Sequence, residues 1–546
     1  IIVWVVRQKQ NDSADYFLGG RDATWLAIGA SIFASNIGSE HLIGLAGAGA
    51  SSGMAMAHWE IQGWMILILG WVFVPFYSRS MVYTMPEFLE RRYNPQSRTI
   101  LSVISLVSYV LTKVAVTVYA GGLVFQQVFG IKELWGIDFF WIAAIGLVVL
   151  TALYTIFGGM KSVLYTSVLQ TPILLLGSLI ILVLGFKELG GWDEMMRVCG
   201  AVTVNDYGDT MTNLIRSNDD ANFPWLGALI GSAIIGFWYW CTDQFIVQRV
   251  LSGKNEKEAR RGTIFGAYLK LLPVFLFLIP GMIAFALHQK YIGAGGEGFL
   301  PMLANGTANA DAAFPTLVAK LLPAGVKGLV VCGILAALMS SLASLFNSSA
   351  MLFTIDFYKR FRPETPEKKL VGIGQIATVV IVILGILWIP IMRSVGDVLY
   401  TYLQDVQSVL APGIAAAFLL GICWKRTSAQ GGMWGLIAGM VIGLTRLGAK
   451  VYYSNAGEVA DSTFKYLFYD MNWLFFCGWM FLFCIIVVIV VSLATEAPTA
   501  EKIQGLVFGT ATKEQKAATR ASWDHWDIIH TAIILAITAA FYWYFW

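Results

Sequence analysis

The fold is decided at residues 34–39, where Ala34-Ser35-Asn36-Ile37-Gly38-Ser39 interrupts a long apolar segment with polar and glycine residues. Apolar residues flank this stretch on both sides, at Ala27-Ile28-Gly29 and Leu42-Ile43-Gly44-Leu45. An unpaired peptide group in hydrocarbon costs several kcal/mol, so irregular backbone survives there only where its carbonyls face an ion or other protein groups. Transporters build substrate and cation sites in this way. The stretch therefore predicts a binding site inside a membrane.

The whole chain has the composition of a membrane protein with many spans. Of its 546 residues, 57% are hydrophobic and 13% are charged, and the mean hydropathy is +0.67. A bilayer core of about 30 Å takes about 20 helical residues to cross, and such runs number about fourteen here. The first ends near Val6, where Ile1–Val6 is expected to be the last part of a span. The others lie near 23–50, 55–77, 99–129, 138–158, 163–186, 225–248, 262–287, 326–357, 371–392, 398–421, 431–452, 471–494 and 527–546.

Basic residues in four short connections predict the orientation of the chain. They are Arg79, Arg91, Arg92 and Arg98; Arg249, Lys254, Lys257, Arg260 and Arg261; Lys359, Arg360, Arg362, Lys368 and Lys369; and Lys425 and Arg426. With fourteen spans all four connections lie on one side, which the positive-inside rule makes cytoplasmic. We therefore expect both chain ends and the loops near 187–223, 288–325 and 453–470 to lie outside, in a plasma membrane or a bacterial inner membrane. The net charge of +3 then reflects topology and does not indicate nucleic-acid binding.

Motifs for metal hydrolysis or ATP use do not appear in the sequence. It contains no Gly-x-x-x-x-Gly-Lys-Ser/Thr phosphate loop and no His-Glu-x-x-His pair. Five of the six cysteines fall within or beside spans, and only Cys199 is clearly in an external loop, so no external disulfide framework is indicated. The sequence does not predict an enzyme.

Polar side chains within spans are the next informative feature, because a charge at the bilayer centre costs about 2.5 to 3.5 kcal/mol. They are Glu60, Asp243, Lys270, Gln404 and Gln407. Together with neighbouring aromatic rings, such donors and acceptors suit a neutral polyol. Structural alternatives remain open for each charge. Asp243 is more readily explained by an ion pair with Arg249, Glu60 by solvation near the outer boundary, and Lys270 by snorkelling or by pairing with a carboxylate of another helix.

Small residues and hydroxyls near residue 340 suggest a cation site. If this face meets the interruption at residues 34–39, the hydroxyls of Ser340 and Ser341 and the Ala337 carbonyl can join the carbonyls of Ala34 and Ile37. Such a shell of five neutral oxygens suits sodium. The competing explanation is structural, because small residues pack helices together and hydroxyls bond to the preceding turn.

Four motifs along the chain are more specific than any single polar residue. They are Asp15-Tyr16-Phe17-Leu18-Gly19-Gly20-Arg21, Gly29-Ala30-Ser31-Ile32-Phe33-Ala34-Ser35-Asn36-Ile37-Gly38-Ser39, Trp238-Tyr239-Trp240-Cys241-Thr242-Asp243-Gln244 with Val247-Gln248-Arg249, and Leu338-Met339-Ser340-Ser341-Leu342 through Phe346-Asn347-Ser348. Together they resemble the sodium/glucose cotransporter family of sodium:solute symporters over roughly residues 12–495. They are more similar to the hexose and inositol carriers than to the proline or iodide branches.

The resemblance implies an all-α polytopic membrane protein of about fourteen transmembrane helices. Its core would be two five-helix inverted repeats of the leucine-transporter type, at 23–187 and 224–421, with a broken second helix. Peripheral helices would follow at 431–546, with a cytoplasmic loop near 495–526, all within one membrane domain of residues 1–546.

The resemblance also implies the site residues. The sodium ligands would be Ala34, Ile37, Ala337, Ser340 and Ser341. The sugar-binding residues would be Asn36, His41, Glu60, Tyr239, Trp240, Lys270 and Gln404. Tyr239 would form the inner gate, and the outer gate would consist of Leu45, Trp59 and Tyr400.

The sequence also departs from the family pattern. Ser167 and Ala343 stand where members with a second sodium site carry Asp and Thr or Ser, so we expect one sodium per sugar, although Ser344 remains. Gly236 and Gly63 replace polar side chains found in some sugar carriers, which predicts a wider pocket or room for water. The expected activity is sodium-coupled symport of a hexose by alternating access in a monomer. The alternatives are symport of myo-inositol or another polyol, or a sugar-gated sensor or channel.

Overall fold

The computed structural model describes residues 12–38, 40–303, 306–392, 399–455 and 460–546. The predicted span end at Ile1–Val6 lies outside these ranges. Almost all regular structure is helical, with one two-stranded antiparallel ribbon, Glu133–Leu134 (β1) and Ile137–Asp138 (β2), in which Glu133 pairs with Asp138.

Helices are numbered in chain order. The first half contains α1 Ser13–Leu18, α2 Trp25–Asn36, α3 Ala46–Ser52, α4 Ala57–Glu60, α5 Gly63–Ile68, α6 Val74–Ser80, α7 Met85–Arg92, α8 Pro95–Ser108, α9 Ala115–Phe129, α10 Phe139–Leu189, α11 Trp192–Gly200, α12 Trp225–Gly236, α13 Gln244–Leu251 and α14 Glu256–Lys270. The second half contains α15 Ile279–Gly293, α16 Ala313–Leu321, α17 Ala324–Met351, α18 Lys359–Phe361, α19 Glu367–Met392, α20 Leu399–Cys423, α21 Ala429–Asn455, α22 Thr463–Lys465, α23 Trp473–Ala494, α24 Ala500–Ile503, α25 Lys513–Ala521 and α26 His525–Tyr544.

Wider π-helical turns connect many of these helices, and a few tighter 3₁₀ turns add to them. The π turns are Glu40–Leu45, Leu69–Phe73, Tyr109–Val114, Phe237–Thr242, Val274–Leu278, Leu352–Tyr358 and Tyr466–Asp470; the 3₁₀ turns are Gly19–Arg21, Gly53–Met56 and Ala310–Ala312.

Ten helical stretches among the described residues are long and apolar enough to cross a membrane. They are Glu40–Ser80, Phe139–Leu189, Trp225–Thr242, Glu256–Gly293, Ala324–Phe361, Glu367–Leu387, Gln404–Cys423, Ala429–Tyr453, Trp473–Ala494 and His525–Tyr544. Two shorter apolar helices, Trp25–Asn36 and Ala115–Gln126, accompany them. The chain is therefore a multi-pass membrane protein, while the exact number of spans remains a prediction.

Gly159 divides the longest helical stretch, α10, at the boundary between two predicted spans. Its backbone angles, φ 53° and ψ −151°, lie outside the helical region, so α10 consists of two helices joined across a kink. A Cβ atom at this position would lie 2.5 Å from the carbonyl oxygen of Tyr16, so only glycine allows α1 to pack this closely.

Side-chain caps explain where several helices begin. The side chain of Asn255 accepts the amide of Glu258 at the start of α14, and Asp243 accepts that of Phe245 at the start of α13. Such caps satisfy amides that the first helical turn leaves without a partner.

Two breaks in helical structure lie near the starts of the two predicted repeats. In the first, α2 ends at Asn36, Ile37 is extended (φ −79°, ψ 93°), and helical structure resumes at Glu40. In the second, the π turn after α12 ends at Thr242, and Asp243 is extended (φ −76°, ψ 127°) before α13 begins. Helix α2 packs against α10, α14 and α17, which places the first break among other helices and away from lipid.

Candidate functional site

The break after α2 releases two carbonyl groups from the helical hydrogen-bond pattern. The amide of Gly38 donates to the carbonyl of Asn36 at 3.1 Å, where a continuous helix would use the Ala34 carbonyl. The amide of His41 donates to Gly38 at 3.1 Å, where a continuous helix would use Ile37. The carbonyls of Ala34 and Ile37 have thus lost the donors that a helix would supply.

Hydroxyl groups of α17 lie directly against this break. The Ser341 hydroxyl donates to the carbonyl of Ser35 at 3.0 Å, and a Cβ atom on Gly38 would lie 2.6 Å from the Ser341 oxygen. Ser340 and Ala337 occupy the same face of the helix, since residues three and four apart are neighbours. The structure therefore brings the α17 face and the interrupted backbone into contact.

This arrangement suits a sodium ion as a transported co-substrate. The candidate oxygens are the carbonyls of Ala34, Ile37 and Ala337 and the hydroxyls of Ser340 and Ser341. All are neutral and buried, and unwound carbonyls are the groups with which transporters coordinate sodium. This assignment of ligands remains a proposal.

A chain of hydrogen bonds joins five of the seven predicted sugar-binding residues. One carboxylate oxygen of Glu60 lies 3.0 Å from His41 Nε2 and accepts a bond of 2.6 Å from the Lys270 ammonium. The same ammonium donates to Asn36 Oδ1 at 3.1 Å, and Asn36 Nδ2 donates to the Tyr239 hydroxyl at 3.1 Å. The chain thus connects the first break to the predicted inner gate.

Three helix ends bring these side chains together. Asn36, Glu60 and Lys270 are the last residues of α2, α4 and α14. Lys270 carries its positive charge at the negative end of its helix dipole, which is the favourable position for a cation. Glu60 has an exposed fraction of 1% and is paired, so the expectation that it is simply solvated is wrong.

The hydrogen-bonded residues line a small polar cavity. The other two predicted sugar-binding residues also line it. Trp240 and Gln404 face it, as do Glu40, Gln62 and Gln407. Its volume is about 30 Å³, which is room for roughly one or two water molecules. A ring with several hydroxyls therefore enters only if the Glu60–Lys270 pair and its neighbours move apart.

The second break holds a separate ion pair beneath Tyr239. Asp243 accepts a bond of 2.5 Å from Lys113 and a bond from the Tyr109 hydroxyl. The Lys113 ammonium lies 4.7 Å from the centre of the Tyr239 ring. The expected pair between Asp243 and Arg249 is wrong, because α13 carries Arg249 away to donate to the Ser35 hydroxyl at 3.0 Å.

The predicted gate residues occupy different environments. Trp59 lines the polar cavity and stacks on Trp473 of α23, with ring centres 5.5 Å apart and planes at 23°. Leu45 is fully buried at the end of the π turn that follows the first break. The side chain of Tyr400 lies outside the described residues. Trp59 is therefore the predicted gate residue that lies next to the cavity, and its gating role stays a prediction.

The glycines expected to widen the pocket allow close packing. A Cβ atom on Gly236 would lie 2.5 Å from the Gln62 amide oxygen, and Gln62 donates to the Ser232 carbonyl at 2.8 Å. A Cβ atom on Gly63 would lie 2.9 Å from the Ala267 carbonyl. Gly236 also lines the polar cavity, so the expected widening of the pocket stays a prediction.

Around Ser167 and Ser344, where some family members hold a second sodium, hydroxyl groups bond to one another. Ser167 Oγ lies 3.2 Å from Ser340 Oγ, and Ser344 Oγ lies 2.8 Å from Ser35 Oγ. No carboxylate is among these four residues. The expectation of one sodium per substrate remains a prediction.

Comparison with known proteins identifies the family. Residues 16–439 match the profile of the family described as "Sodium:solute symporter family". The chain belongs to the sodium:solute symporter family. This confirms the resemblance of the four motifs, and it makes sodium-coupled solute symport the general activity.

Relatives in the sodium:solute symporter family share most of the chain. It is 36% identical to "Sodium/myo-inositol cotransporter 2" of Homo sapiens over 518 residues, 92% of this chain and 76% of the relative. It is 37% identical to "Sodium/myo-inositol cotransporter" of Canis lupus familiaris over 525 residues, 92% and 72% of the two chains. The fold is similar to that of a Na⁺-coupled sialic acid symporter solved in a substrate-bound outward-open state, with a TM-score of 0.71, 22% identity, and 91% and 95% coverage.

Sequence reasoning missed three residues of this symporter's polar core. Glu40 and Gln62 line the cavity, and Lys113 neutralises Asp243. The signal for Lys113 was available, since it is a lysine inside the predicted span near 99–129. Glu40 and Gln62 lie beside predicted site residues, but only the folded backbone decides which neighbours face the cavity.

Proposed function

We propose that this symporter couples sodium to the uptake of a neutral cyclic polyol, with myo-inositol as the preferred substrate and a hexose as the second candidate. The sequence motifs alone do not distinguish a hexose from inositol, because the same donors and acceptors serve both substrates. Two relatives reported above carry the name of sodium/myo-inositol cotransporters, and for this reason we propose the polyol as the first candidate.

The polar cavity supports a substrate rich in hydroxyls. Each hydroxyl both donates and accepts, so one group can donate to Glu60 and accept from Lys270 when the two separate. Gln404, Asn36 and His41 supply further donors and acceptors. Glu60 and Lys270 have opposite charges, so the pair presents no net charge to the substrate and suits a neutral one.

The position of Asn36 is the single observation that carries the coupling mechanism. Its neighbours Ala34 and Ile37 present the released carbonyls, while its side chain bonds both Lys270 and Tyr239. A sodium ion that holds these carbonyls fixes the backbone of Asn36. It thereby orients the polar chain for the substrate, and loss of sodium to the cytoplasm loosens that chain and the contact with Tyr239.

One sodium ion supplies enough energy for strong accumulation. A membrane potential of 100 mV contributes about 2.3 kcal/mol per charge, and a tenfold sodium gradient adds about 1.4 kcal/mol. The sum corresponds to a substrate ratio of several hundred. A strict one-to-one symporter therefore concentrates its polyol by about that factor.

Uptake into proteoliposomes tests the proposal. With an imposed sodium gradient, we expect accumulation of labelled myo-inositol, stronger competition by unlabelled inositol than by glucose or galactose, and no competition by sialic acid. Potassium in place of sodium should abolish accumulation. Preferred competition by glucose would assign the hexose instead, and sodium leak without accumulation would assign a sugar-gated channel.

A matched pair of variants separates the site from the fold. Gln404→Ala removes a cavity-lining amide and should weaken substrate binding. Gln375→Ala removes an amide of the neighbouring helix α19 that donates to the Ile156 carbonyl, outside the cavity, and should leave half-saturation unchanged. Equal substrate half-saturation in the two variants would contradict the assignment of Gln404 to the substrate pocket.

A further inference from the structure

A second cavity, here called the α26 crevice, adjoins the residues that carry the polar site. Ile61 and Leu271 line it, and each follows a site residue in the chain, Glu60 and Lys270. The opposite wall is the last helix, α26, through Ile537, Thr538 and Phe541. The volume is about 300 Å³, which is at the lower end of the range for ligand sites.

The crevice leads from the lipid-facing surface into the protein. Phe275 and Ile537 have exposed fractions of 40% and 44%, whereas Ile61 and Leu271 have only 2% and 6%. Thr538 is the one lining residue of the crevice whose side chain ends in a polar group and is buried, and its hydroxyl donates to the Ile534 carbonyl. The inner walls therefore offer a ligand almost nothing but hydrocarbon contacts.

An aromatic rim marks the end of the crevice at the membrane surface. Trp192 Nε1 donates to the Tyr544 hydroxyl at 3.3 Å, and both residues line the crevice. Tryptophan and tyrosine concentrate where hydrocarbon meets headgroups. Helix α26 rises about 1.5 Å per residue, so Ile537 lies about 10 Å below Tyr544, which is about two thirds of the depth of one leaflet in a core about 30 Å thick.

We propose that the α26 crevice binds one acyl chain of a phospholipid from the leaflet on the Tyr544 side. Water is disfavoured because the inner walls lack the two to four polar partners that a buried water needs. A partner helix does not fit inside the crevice, because a cylinder about 10 Å across fills 300 Å³ in about 4 Å of its length, which is less than one helical turn. Lipid is the solvent at Phe275 and Ile537, and an acyl chain is the lipid part that is narrow, apolar and present there.

Occupancy of the crevice should influence transport. An acyl chain between α26 and the core would press on Ile61 and Leu271, and so on the helix ends that carry Glu60 and Lys270. Substrate entry requires that pair to separate, so filling the crevice should change substrate affinity. This consequence rests on the proposed function, whereas lipid binding itself does not.

Photo-crosslinking in vesicles tests the binding. The purified full-length protein is reconstituted in phosphatidylcholine that contains phosphatidylcholine with a diazirine in the middle of one acyl chain, and labelled residues are mapped by mass spectrometry. We expect label at Leu271 and Phe275. Thr538→Trp fills the inner crevice and should abolish that label, while Leu535→Trp, at a position on the same helix that is 47% exposed and does not line the crevice, should leave it intact.

Several outcomes would overturn the proposal. They are absence of label at Leu271 and Phe275, equal labelling in the two tryptophan variants, and loss of label when cholesterol is added, which would assign a sterol. If Thr538→Trp does not fold, Ile537→Trp at the mouth replaces it.

Inositol uptake is measured separately. Thr538→Trp should shift the half-saturation for inositol several-fold, and Leu535→Trp should leave it unchanged. Because labelling needs no substrate, failure of the polyol assignment leaves the labelling result interpretable.

Discussion

Removing the negative charge of Glu60 should destabilise the protein and weaken substrate transport. The carboxylate and the Lys270 ammonium lie 2.6 Å apart, and both side chains are almost completely buried. Glu60→Gln leaves that ammonium buried without its anion. Breaking a buried pair from one side costs about 3 to 5 kcal/mol. We therefore expect a clear fall in Tm for the single variant.

A second substitution separates stability from function. Lys270→Met in the Glu60→Gln background removes the unpaired charge, so most of the lost stability should return. Substrate transport should stay weak, because neither the acceptor nor the donor for substrate hydroxyls is restored. Each charge-assisted bond contributes about 1.5 to 3 kcal/mol, so half-saturation should rise about 10- to 150-fold for one lost bond.

The assay combines Tm in detergent with sodium-driven uptake in proteoliposomes. Asp461→Asn is the control, because Asp461 and Lys465 form an exposed ion pair 2.8 Å apart whose loss should leave both readouts unchanged. An unchanged Tm and an unchanged substrate half-saturation in Glu60→Gln would show that the Glu60–Lys270 pair supports neither the fold nor substrate binding. A double variant as unstable as the single one would contradict the unpaired Lys270 charge as the cause of the lost stability.

Four further changes test other parts of the site. Ser341→Ala removes one proposed sodium ligand and should raise sodium half-saturation by about tenfold or less, since a neutral contact contributes about 1 kcal/mol. The control Ser349→Ala, on the same helix, should leave sodium half-saturation unchanged. Gln404→Ala should raise substrate half-saturation and leave sodium half-saturation unchanged. Trp473→Ala removes the stacking partner of Trp59 and should speed exchange of substrate at the outer gate. Burial raises the pKa of the Cys199 thiol to about 12, so it stays protonated and should resist maleimide between about pH 7 and about pH 9 until the protein unfolds.

Opposite results would contradict each assignment in turn. Unchanged sodium dependence in Ser341→Ala would remove that hydroxyl from the shell. If Gln404→Ala inserts into the membrane and keeps its substrate affinity, the Gln404 amide does not bind the substrate. Exchange rates unaffected by Trp473→Ala would leave α23 outside the gate, and rapid labelling of native Cys199 would show that α11 opens readily.

Composition and apolar patterning alone establish the class of the protein and mark the stretch where a binding site is predicted. Apolar runs long enough to cross a bilayer predict helices, because hydrocarbon forces every peptide group to pair within its own segment. The polar stretch at residues 34–39 breaks this rule locally, so its composition alone marks it as a site. Glu60 and Lys270 are visible for the same reason, since a charge inside a span is costly and rare.

Tertiary structure decided which of these groups meet. Asp243 is six residues before Arg249, yet its partner is Lys113 on another helix, because α13 begins just after Asp243 and turns Arg249 towards Ser35. Gly236 suggested space, but the side chain of Gln62, from the turn between α4 and α5, lies against it. Pairing between distant segments depends on helix packing, and side-chain spacing along one helix does not contain that information. Three helix ends converge on one cavity only after the chain has folded.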